Sequence, residues 1–506
     1  MFGSDWANEA FASDNHLDPG GTMTRRPNVI LINCDDLGYG DLGCYGSTQH
    51  DTPALDRMAD EGVRFTDFYM ASPVCSPSRA AMLTGSYPLR VGFGGRSIDN
   101  APVLFPGQAQ GLHPDEITIA RLLQDAGYAT RITGKWHCGD QPEFLPTQHG
   151  FDGWFGLPYS NDMGRQVWPD EVRPYREIMA RLGTPVPDDA PMLTERPPLP
   201  LMADAEVVEQ QPDQAVLTER YLDDAIGFIR SNRDRPFFLY LAHMYVHTPI
   251  HTPMHYTSNS ENGAYGAAVA HIDQGIGCIL DTLKATGVDD NTLVIFTSDN
   301  GANTVDGGSN APLRGHKGTT WEGGMREPCV MRWPARIPPG STCTEITTTM
   351  DLLPTLTGYA NGLLPDNHVL DGKNISALMQ GEADAVSAYE AFFYYGCGDH
   401  TLHAVRSGHW KLHLLLNELY DLDADIGERN NLYDDHPEIV AKLTALADGC
   451  REELGDAHTN TEGTGCLPVG RVDNPQTLTS LDQMDPIVRA MYDVDDYEHG
   501  AEAQGD

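Results

Sequence analysis

The sequence predicts an α/β fold: one large sheet flanked by helices, followed by a smaller antiparallel sheet. Three observations carry that expectation. Short apolar runs at 28–33, 237–242 and 292–298 read as strands buried on both faces. Stretches with apolar residues at helical spacing lie among them, at 52–65, 118–126, 218–229 and 265–285. From residue 389 the pattern shifts to brief alternating segments, at 389–395, 404–406, 410–415 and 418–421, which read as antiparallel strands.

Taken in order, residues 1–24 are polar, lack a signal peptide's apolar core, and read as a loosely attached arm. The strand at 28–33 runs into Cys34-Asp35-Asp36, and ligands in open α/β sheets collect just beyond the carboxyl ends of strands. Thr52 suits the N-cap of the first helix and Pro53 its first position. The second helix stops at Gly127, and the strand-like 128–133 delivers Gly134-Lys135-Trp136-His137. Lys135 and His137, two apart, would point to one side of an extended backbone. Residues 163–215 are rich in proline and charge and are expected to rim a pocket.

The strand at 237–242 ends at His243, with His247 and His251 close behind, and local chemistry does not choose among the three. The strand at 292–298 ends in Asp299-Asn300. Two separate strands therefore end in paired oxygen donors. Asp35, Asp36, Asp299 and Asn300 form an all-oxygen set suited to a hard divalent cation rather than to zinc. A glycine-rich stretch, Leu313 to Gly324, carries Lys317, and a helix is expected at 437–446. The organisation reads as an arm over 1–24, a large domain over 25–370, an α+β subdomain over 371–466 and an acidic tail over 467–506.

The formal net charge is −40, with 73 acidic against 33 basic side chains, so a nucleic-acid partner is not expected. Only six of the basic residues are lysines, and Lys135 and Lys317 are two of them. Ten cysteines without Cys-x-x-Cys spacing are too sparse for a disulfide scaffold. No apolar run reaches membrane-spanning length. Cytoplasmic residence is the default expectation, with periplasmic or secreted locations open, as is oligomeric state.

The stretch from Cys75 to Gly85 organises the rest. Pro77 suits the first turn of a helix through Ala80, Ala81, Met82 and Leu83, which puts Cys75 at its N-terminus, where backbone N–H groups favour an anion. Arg79 follows about one helical turn later, with a planar fork suited to sulfate, phosphate or carboxylate.

Cys75-Ser-Pro-Ser-Arg79 followed by Leu83-Thr-Gly85 resembles the signature of the type I sulfatases of the alkaline phosphatase superfamily. The resemblance implies an alkaline-phosphatase-like fold over roughly residues 26–448 and hydrolysis of a small-molecule or carbohydrate sulfate ester. It implies that a formylglycine-generating enzyme oxidises Cys75 to formylglycine, whose hydrate is the nucleophile. Gly134 to His137 is similar to a second family motif, in which Lys135 and His137 contact the sulfate and the hydrate. Residues 149–162 are similar to the segment that follows, which makes Ser160 a sulfate-contacting hydroxyl. His247, shortly before Pro249, matches the family's active-site histidine, and Lys317 the lysine that approaches the leaving-group oxygen. By the same resemblance Asp35, Asp36, Asp299, Asn300 and residue 75 hold the cation, Ca²⁺ in preference to Mg²⁺. One hydroxyl of the hydrate then attacks sulfur with Asp299 as base, His247 and Lys317 assist the departing alcohol, and His137 takes the proton of the second hydroxyl. The alternatives are a phosphodiesterase or phosphonate monoester hydrolase of the same superfamily, a thiol enzyme, and a silent anion- and metal-binding homologue.

Overall fold

The computed structural model describes residues 26–94, 98, 101–164, 197–365 and 368–480. The expected arm over 1–24, most of the rim stretch and the end of the acidic tail lie outside these. β1 (Asn28–Cys34) sits at the middle of an eleven-stranded mixed sheet. Its side chains alternate between two cores, Val29 and Leu31 on one face and Ile30 and Ile32 on the other. Both faces are covered by helices, which explains the unbroken apolar run.

The chain continues through α1 (Pro53–Asp60), β2 (Val63–Tyr69), α2 (Cys75–Thr84), α3 (Ile119–Asp125) and β3 (Ala129–Gly134). Then come β4 (Gly153–Gly156), the hairpin β5 (Pro200–Ala203) and β6 (Glu206–Gln210), α4 (Leu217–Asn232), β7 (Phe237–Ala242), α5 (Gly263–Thr286) and β8 (Thr292–Ser298). The large sheet closes with the short α6 (Glu322–Met325) leading into β9 (Arg326–Arg332), then β10 (Ser341–Cys343) and β11 (Thr347–Thr348). The strand order is β10-β2-β9-β8-β1-β7-β3-β4-β5-β6, with β11 also on β2. β8, β1, β7, β3 and β4 run parallel, so their carboxyl ends open on one edge. A separate antiparallel sheet follows, of β12 (Phe392–Tyr395), β13 (Leu402–Ser407), β14 (Trp410–His413) and β15 (Glu418–Asp421), packed by α7 (Pro437–Leu454).

Three expectations change. The helix expected over 52–65 ends at Asp60, and Val63–Tyr69 is strand β2. Gly62 makes the switch, because a Cβ there would lie 2.2 Å from the Met331 carbonyl oxygen of β9. The rim stretch is not all loop, since Leu201 and Met202 are buried in the β5–β6 hairpin that extends the sheet. The last helix runs on to Leu454, because Leu443, Ala447, Cys450 and Leu454 keep one buried stripe. Among the described residues no helix is long and apolar enough to cross a membrane, and no cysteine is disulfide-bonded.

The turn out of β3 shows how tightly the strand ends are set. Gly134 has φ +110°, and a Cβ there would come 1.8 Å from the Ala242 oxygen. Gly134→Ala should therefore lower stability by more than about 2 kcal/mol, read as the shift in urea unfolding midpoint.

Candidate active site

Four of the parallel strands deliver side chains to one point. β1 ends at Asp35 and Asp36, β3 at Lys135 and His137, β8 at Asp299 and Asn300, and β7 leads through four residues to His247. Backbone hydrogen bonds lock the ends together: Asp299 N–H donates to the Cys34 carbonyl (3.0 Å), Asp35 N–H to Tyr245 (3.1 Å) and Lys135 N–H to Ala242 (2.8 Å). Asp36 and His137 hold left-handed backbone, φ 62° and 63°, a conformation that non-glycine residues keep where surrounding structure imposes it.

Cys75 is the first residue of α2, entered from the extended Val74, and the helix ends at Gly85 with φ 68°. Every residue of this helix is buried. The Cys75 thiol donates to Asp35 Oδ1 at 3.2 Å. Lys135 Nζ is hydrogen-bonded to Asp35 Oδ2. Arg79 Nε pairs with Asp299 Oδ2 at 2.8 Å, its Nη1 donates to the Lys135 carbonyl at 3.0 Å, and its Nη2 lies 3.7 Å from Asp35. Lys317 Nζ reaches Asp36 at 2.8 Å, and His247 Nε2 lies 3.9 Å from the same carboxylate.

The structure thus separates the three histidines. His247 is partly exposed and faces Asp36. His243 is fully buried, its pKa pushed down to about 3 by burial and by the nearby His271. His251 hydrogen-bonds through its backbone N–H to the Tyr245 hydroxyl (3.3 Å).

The electrostatics are unbalanced. Burial pushes the Asp35 carboxyl up, but Lys135, His247, Arg79 and Lys317 outweigh it and hold the group well below the usual range. Asp299, by contrast, is pushed up to about 6 by burial and by Asp35, against the pull of Arg79. The cations of the chain thus act unequally on the two carboxylates, although Arg79 pairs directly with Asp299. Ligand atoms of Asp35, Asp36, Asp299 and Cys75 all lie within 4.8 Å of one another. Asn300 donates from Nδ2 to Asp36 Oδ1 at 2.7 Å, while its buried Oδ1 has no hydrogen-bond partner. A buried acceptor without a donor, beside crowded carboxylates, fits a hard divalent cation at this point.

Ser160 is buried at the start of a short 3₁₀ turn and its hydroxyl makes no hydrogen bond. The segment that carries it is tied to the Lys135–His137 turn, since Trp136 and His137 donate from their backbones to Leu157 (2.9 Å) and Pro158 (3.0 Å). The sequence-expected residues therefore converge, with Ser160 two residues beyond the point of contact. Sequence reading did not single out Tyr240, whose hydroxyl lies 3.5 Å from Arg79 Nη1, nor Ser298, which accepts from Leu37 N–H at 2.9 Å. It also missed the Leu104 carbonyl, which lies 3.0 Å from His137 Nε2. A backbone acceptor leaves no trace in residue identity, and the two hydroxyls read as ordinary strand residues.

A family model described as Sulfatase matches residues 27–363, and one described as N-sulphoglucosamine sulphohydrolase, C-terminal, matches residues 316–452. The chain belongs to the sulfatase family. It is 38% identical to human arylsulfatase A over 450 residues, covering 82% of this chain and 85% of that protein. It is 41% identical to human N-acetylgalactosamine-6-sulfatase over 397 residues, covering 76% and 71%. The crystal structure of Ps i-CgsB in complex with k-i-k-neocarrahexaose superposes with a TM-score of 0.71 at 28% identity, covering 93% of this chain and 98% of that one. The alkaline-phosphatase-like fold and the sulfuric ester hydrolase class follow. Sulfatases work with a formylglycine and a divalent metal, and the clustered carboxylates around Cys75 suit both.

Chelation should lower the thermal unfolding midpoint. Adding back divalent cation at one hundred times its dissociation constant should return about 2.7 kcal/mol of stability, read by denaturant titration.

Proposed function

We propose that this sulfatase cleaves a sulfate monoester on a carbohydrate, using residue 75 as formylglycine and Ca²⁺ held by Asp35, Asp36, Asp299, Asn300 and the side chain at 75. The carbohydrate class is supported by the relative named for N-acetylgalactosamine 6-sulfate chemistry and by the structural neighbour solved with an oligosaccharide. A hard divalent cation is supported by the clustered carboxylates, and Ca²⁺ in preference to Mg²⁺ by the sulfatase resemblance. The single observation that carries the reading is the convergence of Cys75, Asp35, Lys135 and Arg79 at the N-terminus of a buried helix.

The cation would supply fixed positive charge against the sulfuryl oxygens, and the formylglycine hydrate would supply two hydroxyls where cysteine has one thiol. The remaining roles belong to side chains of the chain. Arg79 and Lys135 hold positive charge on either side of residue 75, already oriented by Asp299 and Asp35. Asp299, whose carboxylate lies within 4.8 Å of the side chain at position 75, is assigned to accept a proton from the attacking hydroxyl.

His137 is the proposed acceptor for the second hydroxyl. A carbonyl only accepts, so Nε2 carries the hydrogen toward Leu104 and Nδ1 keeps a lone pair. That Nδ1 is buried without a partner, and burial together with Lys135 keeps the ring neutral. Lys317 and His247, both facing Asp36, are assigned to the departing alcohol oxygen. Ser160, with its unpaired hydroxyl, is assigned to a sulfate oxygen.

The thiol-enzyme alternative is disfavoured by the surroundings of Cys75. Burial, and next Asp35, push its thiol well above the ordinary value despite Lys135 and Lys317, the reverse of what a thiolate nucleophile needs.

Side-by-side assays decide the reaction class: an aryl sulfate should turn over faster than the matching aryl phosphonate, and the reverse order would make the phosphonate reading correct. Lys317→Ala should reduce kcat by about 10²–10³-fold, and full turnover in that variant would remove its leaving-group role.

A further inference from the structure

We propose that Lys411, on the C-terminal sheet, is a positioning residue for Lys317, so that this sheet is a working part of the active site. The inference rests on the leaving-group role proposed for Lys317. Lys411 lies on β14 with its side chain fully buried. Its ammonium donates to the carbonyl of Thr320, three residues beyond Lys317, at 2.9 Å. The same Nζ pairs with Glu322 Oε1 and Glu428 Oε1, each at 2.9 Å, and stands 4.1 Å from the centre of the Tyr394 ring.

The partners of Lys411 fix the segment that carries Lys317. Glu428 accepts the backbone N–H of Glu322 at 2.8 Å and pairs with His413 at 3.0 Å. Glu322 accepts the Tyr69 hydroxyl at 2.5 Å and the Tyr394 hydroxyl at 3.0 Å. Tyr69 is the last residue of β2, the strand that leads into Cys75. At the base of the segment Gly323 N–H donates to the Arg314 carbonyl at 2.7 Å. Its tip is docked by Lys317 N–H on Ala302 (3.2 Å) and Gly318 N–H on Pro73 (3.0 Å). The network therefore ties the approach to the nucleophile, the Lys317 segment and the C-terminal sheet to one ammonium.

Stability does not explain a lysine here. A buried ion pair is often no better than apolar packing of the same volume. Arg326 (3.3 Å) and Arg406 (3.8 Å) also pair with Glu322, so what Lys411 supplies is a bridge: its one ammonium meets Glu322, Glu428 and the Thr320 carbonyl together and fixes their mutual geometry. A shift of about 1 Å in a group near a reacting bond can cost about 10²-fold.

The test compares Lys411→Met, Lys411→Gln and Lys317→Ala in the full-length, formylglycine-bearing enzyme. Each is assayed with p-nitrophenyl sulfate and with the sulfate ester of an aliphatic alcohol, a much poorer leaving group. Lys411→Met should lower kcat for the aliphatic ester at least about tenfold more than for the aryl ester, with KM nearly unchanged. Lys411→Gln, which keeps an N–H donor for the Thr320 carbonyl, should recover part of that difference. If Lys411→Met does not fold, Lys411→Gln decides alone, since the same discrimination is expected at smaller size. Equal losses on both esters, or none, in variants folded at the assay temperature would overturn the proposal while Lys317→Ala still discriminates. If Lys317→Ala does not discriminate either, the leaving-group role fails and this inference with it.

Discussion

The carboxylate of Asp35 is the point on which the site depends. One oxygen accepts from the Cys75 thiol, and the other takes the Lys135 ammonium and lies near Arg79. It belongs at the same time to the crowded set that fits a cation. A fully buried carboxylate is tolerable only with such company, because desolvation would otherwise drive it to the neutral form. Lys135, His247, Arg79 and Lys317 hold Asp35 well below the usual carboxylate range, while burial and Asp35 push Asp299 up to about 6. Three carboxylates, Asp35, Asp36 and Asp299, meet at the ends of β1 and β8, a donor chemistry that suits a hard divalent cation.

Such a cluster cannot hold itself together. Its members come from strands far apart in sequence, and the parallel sheet supplies the common edge. The strand-end hydrogen bonds and the left-handed turns at Asp36 and His137 then aim the side chains. The small C-terminal sheet adds the second buried charge network, around Lys411, Glu322 and Glu428. Both networks follow one rule: every buried charge is met by opposite charge and by hydrogen-bond donors or acceptors from another element.

The sequence made much of this legible, for identifiable reasons. Strands buried on both faces leave unbroken apolar runs, so β1, β7 and β8 and the residues at their ends could be placed directly. Pro77 in the first turn placed Cys75 and Arg79 at a helix start, but their role was legible only through the resemblance of Cys75 to Arg79 and Leu83 to Gly85 to the sulfatase signature. β2 was harder, since Val63 and Phe65 also satisfy helical spacing and only the close pass of Gly62 against β9 decides for a strand. The choice among His243, His247 and His251 was invisible locally, because it depends on which ring faces Asp36 across the fold. Lys411 left one faint signal, a lysine beside Trp410 and Leu412 in a short alternating strand. Its partner, a backbone carbonyl at Thr320, left none.

The central claim is that Cys75 is the precursor of the nucleophile in this pocket. The most direct measurement is intact-mass analysis of the tryptic peptide ending at Arg79, from enzyme made with a formylglycine-generating enzyme, paired with turnover of an aryl sulfate by the same preparation. The account predicts formylglycine at position 75 and a rate that rises in proportion to the fraction converted. Turnover carried by protein whose Cys75 is still a thiol would contradict it.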